Sequence, residues 1–320
     1  MLQKKRKINL GLIGLGQMGR NHLRVLSLLK GVQIKFIYDT NQVLSQAQSE
    51  IYGVETITNL NEPWPDTDAI LICSPTITHS EMLLTASKYV KNIFIEKPLS
   101  HTLDSTLADV CFINKNHLNV QVGFIERFNP AILQLKCVLE QSSQVMNIDF
   151  NRTNKLSSRI KDVDVVTDLM IHDIDLAIYL NGHVKKITAQ GIKDNEMVTL
   201  ASAQLIHENG SLSRLHSSRI TEKKVRRIQA TCVDSFIDCD LLRKEILIHR
   251  QSKIENDIRG NYFINAIEQT VEVKQQEPLL SELQSFVKFC HKQTDQVPTE
   301  IDALNAAKIC DKILQEILSC

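Results

Sequence analysis

The sequence predicts an α/β protein: an N-terminal doubly wound parallel sheet over residues 1–123, then an α+β domain over 124–320 on a large, mostly antiparallel open sheet. Three observations predict it. Short apolar runs alternate with helical patterns through the first part of the chain, the rhythm of parallel strands joined by crossover helices. A glycine-rich turn at Gly14, Gly16 and Gly19 stands between the first strand and the first helix. After about Gly123, strand-like runs follow one another with little helix between them, as antiparallel neighbours do.

In order, KINLGLI is a strand and QMGRNHLRVLSLL a helix, QIKFIY a strand and NQVLSQAQSEIY a helix. AILIC is a strand, HSEMLLTASKY a helix, NIFI a strand, LDSTLADVCFINKN a helix and LNVQVGF a strand. The runs rich in Ile, Val and Phe carry the strand assignments, and apolar residues at helical spacing carry the helices. The rhythm then changes: a helix (NPAILQLKCVLEQ), a strand (VMNIDFNRT) and a helix around TDLMIHDIDLAIYL. The strands VKKITAQGI, VTLASAQLI, SLSRLHSSR, VRRIQATCV, SFIDCDL and EILIHR follow, linked by turn signals such as His207-Glu208-Asn209-Gly210. Two helices close the chain, LLSELQSFVKFCHK and PTEIDALNAAKICDKILQEIL.

The 320 residues suffice for two cores, and 43% hydrophobic with 23% charged residues is ordinary for a globular chain. Lys plus Arg (37) equals Asp plus Glu (37), which gives no electrostatic case for nucleic acid as a partner. The basic cluster Lys223, Lys224, Arg226 and Arg227 reads as a solvated strand end. The start, MLQKKRKINLGLIGLG, is basic then apolar like a short signal peptide, but it breaks at once into glycines. No stretch approaches the roughly 20 apolar residues that span a bilayer. Eight cysteines are scattered with no C-x-x-C pair, so a cytoplasmic protein with no disulfide framework and no metal site is expected.

The glycine spacing is G-x-G-x-x-G, with Gln17 and Met18 inside it, and it has the required setting of a strand before and a helix after. Such a turn brings backbone close to a dinucleotide pyrophosphate, whose charge the helix N-terminus favours. Asp39 lies 20 residues after Gly19, at the end of the second strand. A carboxylate there accepts from a ribose 2′-hydroxyl and repels a 2′-phosphate, so NAD is expected in preference to NADP.

The helix Thr167–Leu180 poses a different question. At 100° per residue, Asp168, His172, Asp175 and Tyr179 form one narrow stripe between two apolar flanks. A solvated helix face is usually broader than that. Two readings stand: a buried pair satisfying itself, or the protein wall of a substrate site.

ICSPTITH at 72–79, IEKPLS at 95–100, GLIGLGQMG at 11–19 and D-x-x-x-H at Asp168 and His172 together resemble the Gfo/Idh/MocA oxidoreductase family, along the whole chain. Where that family usually has T-P-N, this chain has Ser74-Pro75-Thr76. The resemblance implies a Rossmann domain followed by an α/β domain on a large open sheet. It further implies that Lys97, Asp168 and His172 meet the substrate beside the nicotinamide. Ser74, Thr76, His79, Glu96 and Lys97 are then cofactor-side residues. Alcohol oxidation suits these types: an imidazole takes a proton near neutrality, and an ammonium stabilises an alkoxide. Lys97, if neutral, is equally able to be the base.

A finer resemblance, through GFIERFNPA and SSRIKDVDVVTDLMIHDIDL, is to the UDP-N-acetylglucosamine 3-dehydrogenases of that family, which form a 3-keto sugar. Arg127, Arg152 and Arg159 precede the helix and suit a pyrophosphate, with Asp175 also expected at the substrate. The alternatives are a dehydrogenase of a free sugar or cyclitol, and a non-catalytic NAD-binding regulator. By family analogy a homodimer or homotetramer through the exposed sheet face is expected.

Overall fold

The computed structural model describes residues 6–155, 163–195, 197–256, 262–294 and 296–319. Its elements run β1 (Ile8–Ile13), α1 (Gln17–Leu28), β2 (Val32–Tyr38), α2 (Gln42–Tyr52), β3 (Glu55–Thr56), β4 (Ala69–Ile72), α3 (His79–Ala86), β5 (Asn92–Glu96), α4 (Leu103–Lys115) and β6 (Asn119–Gly123). Then come α5 (Pro130–Gln141), β7 (Val145–Lys155), a π-helical turn (Val166–Met170), α6 (Ile171–Asn181), β8 (Val184–Asp194), β9 (Met197–His207), β10 (Leu212–Ser218) and β11 (Ile220–Cys232). The last are β12 (Ser235–Asp240), β13 (Glu245–Asn256), β14 (Tyr262–Val271), α7 (Pro278–Cys290) and α8 (Glu300–Leu318). Two strands, β3 and β14, go beyond the runs expected from the sequence. No helix among the described residues is long and apolar enough to cross a membrane.

The chain divides into two units, Met1–Ile125 with Glu277–Ala307, and Glu126–Gln276 with Lys308–Cys320. A single break after residue 123 puts α7 in the second domain; the structure returns it to the first. The reason is packing. Leu279, Leu283 and Phe286 of α7 join Leu23 and Leu26 of α1 in the core over β1, β4 and β5, with Phe286 edge-on to Phe94.

The sheet of the first unit is wholly parallel in the order β3-β2-β1-β4-β5-β6. All four residues of β4 are buried, as in a strand covered on both faces. The order reverses between β1 and β4, so a crevice opens beyond their carboxyl ends. The glycine turn follows β1, Ser74 follows β4 and Lys97 follows β5, so this edge gathers the motifs.

The second unit holds an eight-stranded sheet in the order β14-β13-β12-β11-β7-β10-β9-β8. It is antiparallel except for the β7–β10 pair. Its strands alternate: in β12, Ser235, Ile237 and Cys239 are buried while Phe236, Asp238 and Asp240 are half-exposed. One face of this sheet is therefore core, covered by α5 and α6, and the other is polar.

Candidate active site

The glycine turn is shaped by contacts only hydrogen allows. Gly14 has φ +92°, and a Cβ there would stand 2.5 Å from the Ser74 amide nitrogen. A Cβ on Gly19 would stand 1.9 Å from the Gly14 carbonyl oxygen, so α1 packs directly on the turn. Gly16, the N-cap of α1, faces open space, with no side chain capping the helix and no acid in its first turn. The first-turn amides are thus presented to an anion, and the cradle fits a dinucleotide pyrophosphate. Gln17 and Met18 lie exposed on that first turn.

Asp39 follows β2 and braces the same turn. Its Oδ2 accepts from the Leu15 amide at 2.7 Å and its Oδ1 from the Asn41 amide at 2.8 Å. Each carboxylate oxygen has a further lone pair for a ribose hydroxyl.

Beyond β4, Thr78 donates to Ser74 Oγ at 2.8 Å, and Thr76 opens a short 3₁₀ turn, both Ser74 and Thr76 half-buried. His79 differs from its expected place at the cofactor. It is buried, with Nδ1 2.8 Å from the Pro98 carbonyl oxygen and Nε2 3.0 Å from that of Ser74. Burial holds its imidazole below the ordinary range despite those carbonyls. Both ring nitrogens face backbone, so His79 is a tie between the ends of β4 and β5. Asp109 adds a second tie, accepting from Ser80 at 2.6 Å and Ser100 at 2.5 Å. Between these ties Lys97 is half-buried, joined to Pro98 by a cis peptide bond. Glu96 also departs from expectation. Its Oε1 lies 2.6 Å from His22 Nε2 in the core, so its carboxylate turns inward and away from a cofactor role.

In the second unit, Asp164 starts the helix: its Oδ1 accepts from the amides of Val166 (2.7 Å) and Thr167 (2.9 Å). The uniform α-helix expected over 167–180 begins instead with the π-helical turn that carries Asp168. In the run from Met170 to Ala177, His172 alone is not fully buried. Asp168 is held by Arg219, whose Nη2 donates to Oδ2 at 2.8 Å.

The arginines expected to bind substrate are placed otherwise. Arg152 is 2% exposed, with Nε and Nη2 on Asp173 at 2.9 and 2.8 Å and Nη1 on Glu126 at 2.8 Å. A guanidinium so enclosed does not serve a pyrophosphate. Arg127 binds Asp175 through Nε at 2.9 Å and Nη2 at 2.6 Å, and Asp175 is buried, so this pair is engaged within the chain. Arg159 lies outside the described residues. Within the basic cluster of β11, Arg226 turns inward to Glu126 at 3.2 Å and is not part of a solvated end. Arg219, Glu126, His22 and Asp109 were not singled out by sequence, because their partners lie far along the chain.

Two family profiles match the chain: an oxidoreductase family with an NAD-binding Rossmann fold over residues 8–124, and the GFO/IDH/MocA C-terminal domain over residues 136–234. An uncharacterized oxidoreductase of Bacillus subtilis, YrbE, is 30% identical over 67% of this chain and 68% of its own length. The chain belongs to the Gfo/Idh/MocA oxidoreductase family. Its first unit carries the NAD-binding domain of that family. UDP-N-acetylglucosamine 3-dehydrogenase of Acidithiobacillus ferrooxidans is 26% identical over 87% of each chain. The solved structure of that enzyme has a TM-score of 0.86 at 21% identity, covering 98% of this chain and 99% of its own. Myo-inositol 2-dehydrogenase of Thermotoga maritima is likewise 26% identical, over 88% of this chain and 87% of its own. Among Gfo/Idh/MocA proteins, then, this chain is similar to sugar-nucleotide and cyclitol dehydrogenases alike.

Proposed function

We propose that this chain is a cytoplasmic NAD-dependent dehydrogenase that oxidises a sugar secondary hydroxyl to a ketone, with UDP-N-acetylglucosamine converted to its 3-keto form. The observation that carries the reading is the partly open setting of His172 in an otherwise buried run, with Asp168 one turn before it. Lys97, at the carboxyl end of β5 beside the dinucleotide crevice, supports it. The similarity to a UDP-N-acetylglucosamine 3-dehydrogenase over 87% of the chain supports the choice of sugar. Asp39 supports NAD over NADP, since its charge opposes a 2′-phosphate.

NAD, when bound, accepts the hydride. The chain's own residues handle the hydroxyl proton and the charge left on oxygen. His172 takes the proton, and the Lys97 ammonium stabilises the developing alkoxide. Asp168 orients the imidazole and stabilises it once protonated. A neutral Lys97 acting as base exchanges the first two roles. A homodimer or homotetramer through the polar face of the second sheet belongs to the same proposal, and light scattering tests it.

A second reading, oxidation of a free sugar or cyclitol, is favoured by one observation. Arg127 and Arg152 are engaged by carboxylates of the chain itself, which removes two cations a pyrophosphate would use. Nicotinamide absorbance with UDP-N-acetylglucosamine, N-acetylglucosamine and myo-inositol separates the readings. Reduction of NAD by the nucleotide sugar alone is expected. Lys97→Met and His172→Asn should each lower kcat by about 10²–10⁴ with NAD binding retained. Turnover of myo-inositol alone moves the assignment to the second reading. No turnover of any of them leaves the non-catalytic regulator.

A further inference from the structure

We infer that Arg219 is a positioning residue for the Asp168–His172 pair: it anchors Asp168 and draws on its charge, so that His172 stays neutral and able to accept a proton. This rests on the reading above for the role of the pair.

Arg219 sits between β10 and β11 with its side chain 2% exposed. Its amide donates to the Thr199 carbonyl at 2.9 Å, fixing the backbone to β9. Its Nη1 donates to the Val163 carbonyl and its Nη2 to Asp168 Oδ2. One guanidinium therefore clamps both the entry to the π-helical turn and the carboxylate that the turn carries. Single π turns set inside helices re-aim side chains and recur at functional sites. Here the re-aimed residue is the one Arg219 grips.

The electrostatic consequence follows from the order of the charges. A carboxylate beside an imidazole favours the imidazolium. A permanently charged guanidinium on the same carboxylate offsets that pull. Among the described residues, other charged groups near this turn have partners of their own. Arg226 and Lys224 on β11 lie toward Glu126 and Arg152, with Arg226 also sensing Asp168. Arg152 on β7 is bound to Asp173 and Glu126, and Asp175 on α6 is bound to Arg127.

The test is a titration of the histidine ring signals by NMR on the cofactor-free chain, with His172 assigned by its loss in His172→Asn. In Arg219→Gln the His172 midpoint should rise by about 0.5–1 pH unit. Arg219→Lys keeps the charge and should hold the midpoint with the wild type. In an Asp168→Asn background, Arg219→Gln should move it much less, because the carboxylate that relays the effect is gone. Asp168→Asn alone should lower the midpoint, a measurement that stands even where Arg219→Gln fails to fold. An unmoved midpoint in folded Arg219→Gln overturns the inference. So does an equal rise in Arg219→Lys, or no fall in Asp168→Asn. The titration needs no substrate, so inactivity toward every sugar would sink the proposed function while leaving this coupling to be judged separately.

Discussion

Each unit buries a cluster of charged side chains, and the two clusters are built on opposite terms. In the second unit Glu126, Asp173 and Arg152 are all buried, and the guanidinium reaches both acids, with Arg226 adding a further cation at Glu126. Burial alone would raise the Glu126 carboxyl, but Arg152 and Arg226 more than offset it and hold it below its ordinary range. In the first unit His22, Glu96 and Glu282 are buried with Cys73 and Gln121. There, neither oxygen of Glu282 has a hydrogen-bond partner among the described residues. Burial, then the nearby Glu96 charge, holds the Glu282 carboxyl well above its ordinary range. The same residue type is shifted toward the ionised form where arginine is at hand and toward the protonated form where it is not. The difference teaches that a buried acid is read by its partners together with its burial: Asp173, though gripped by Arg152, is still held above its ordinary range by burial.

The comparison breaks most visibly at Arg152. Arg152→Met leaves buried Asp173 without its cation and Glu126 with Arg226 alone, and should cost about 3–5 kcal/mol in denaturant unfolding. A loss no larger than that of a surface substitution would mean the network is solvated. The first unit should answer in the other direction. Glu282→Met replaces a neutral, unpartnered acid with an apolar side chain of similar length, so it should be neutral or gain about 1 kcal/mol.

The pH dependence fixes the sign. A raised carboxyl holds a proton in the folded state that the unfolded chain releases from its ordinary value of 4.5 upward. Its share of stability is complete below that value and declines as pH rises through the folded value. The wild type should therefore lose more melting temperature between about pH 5 and pH 8 than Glu282→Met does. Parallel losses would show that Glu282 is ionised. The smallest effect belongs to the exposed Arg214–Asp149 pair on the polar sheet face. Arg214→Ala should cost under about 1 kcal/mol, and less in high salt.

Much of the first unit is legible in sequence because parallel strands are covered on both sides and read as plain apolar runs. The glycine turn and Asp39 are legible because their spacing is local. The arginines are not. Arg152 and Arg219 show their residue type in the sequence, but their partners Asp173 and Asp168 stand 21 and 51 positions away. A cation without its partner reads as a ligand for substrate, as Arg127 and Arg152 do in the sequence. The π-helical turn is hidden for a related reason, since a period of 100° is assumed before it is measured. The return of α7 to the first unit leaves no mark on local periodicity at all.

That return bears on how the chain is made. The six strands of the first sheet leave the ribosome early, yet the apolar cover over Leu23, Leu26 and Phe94 is carried by Leu279, Leu283 and Phe286. Synthesis from the N-terminus must pass through the whole of β7 to β14 before that cover exists. A nascent chain halted near residue 123 would hold a parallel sheet with α1 packed on one face but the apolar cover from Leu279, Leu283 and Phe286 still missing. The first unit to begin folding is thus completed only after β7 to β14 of the second have been made.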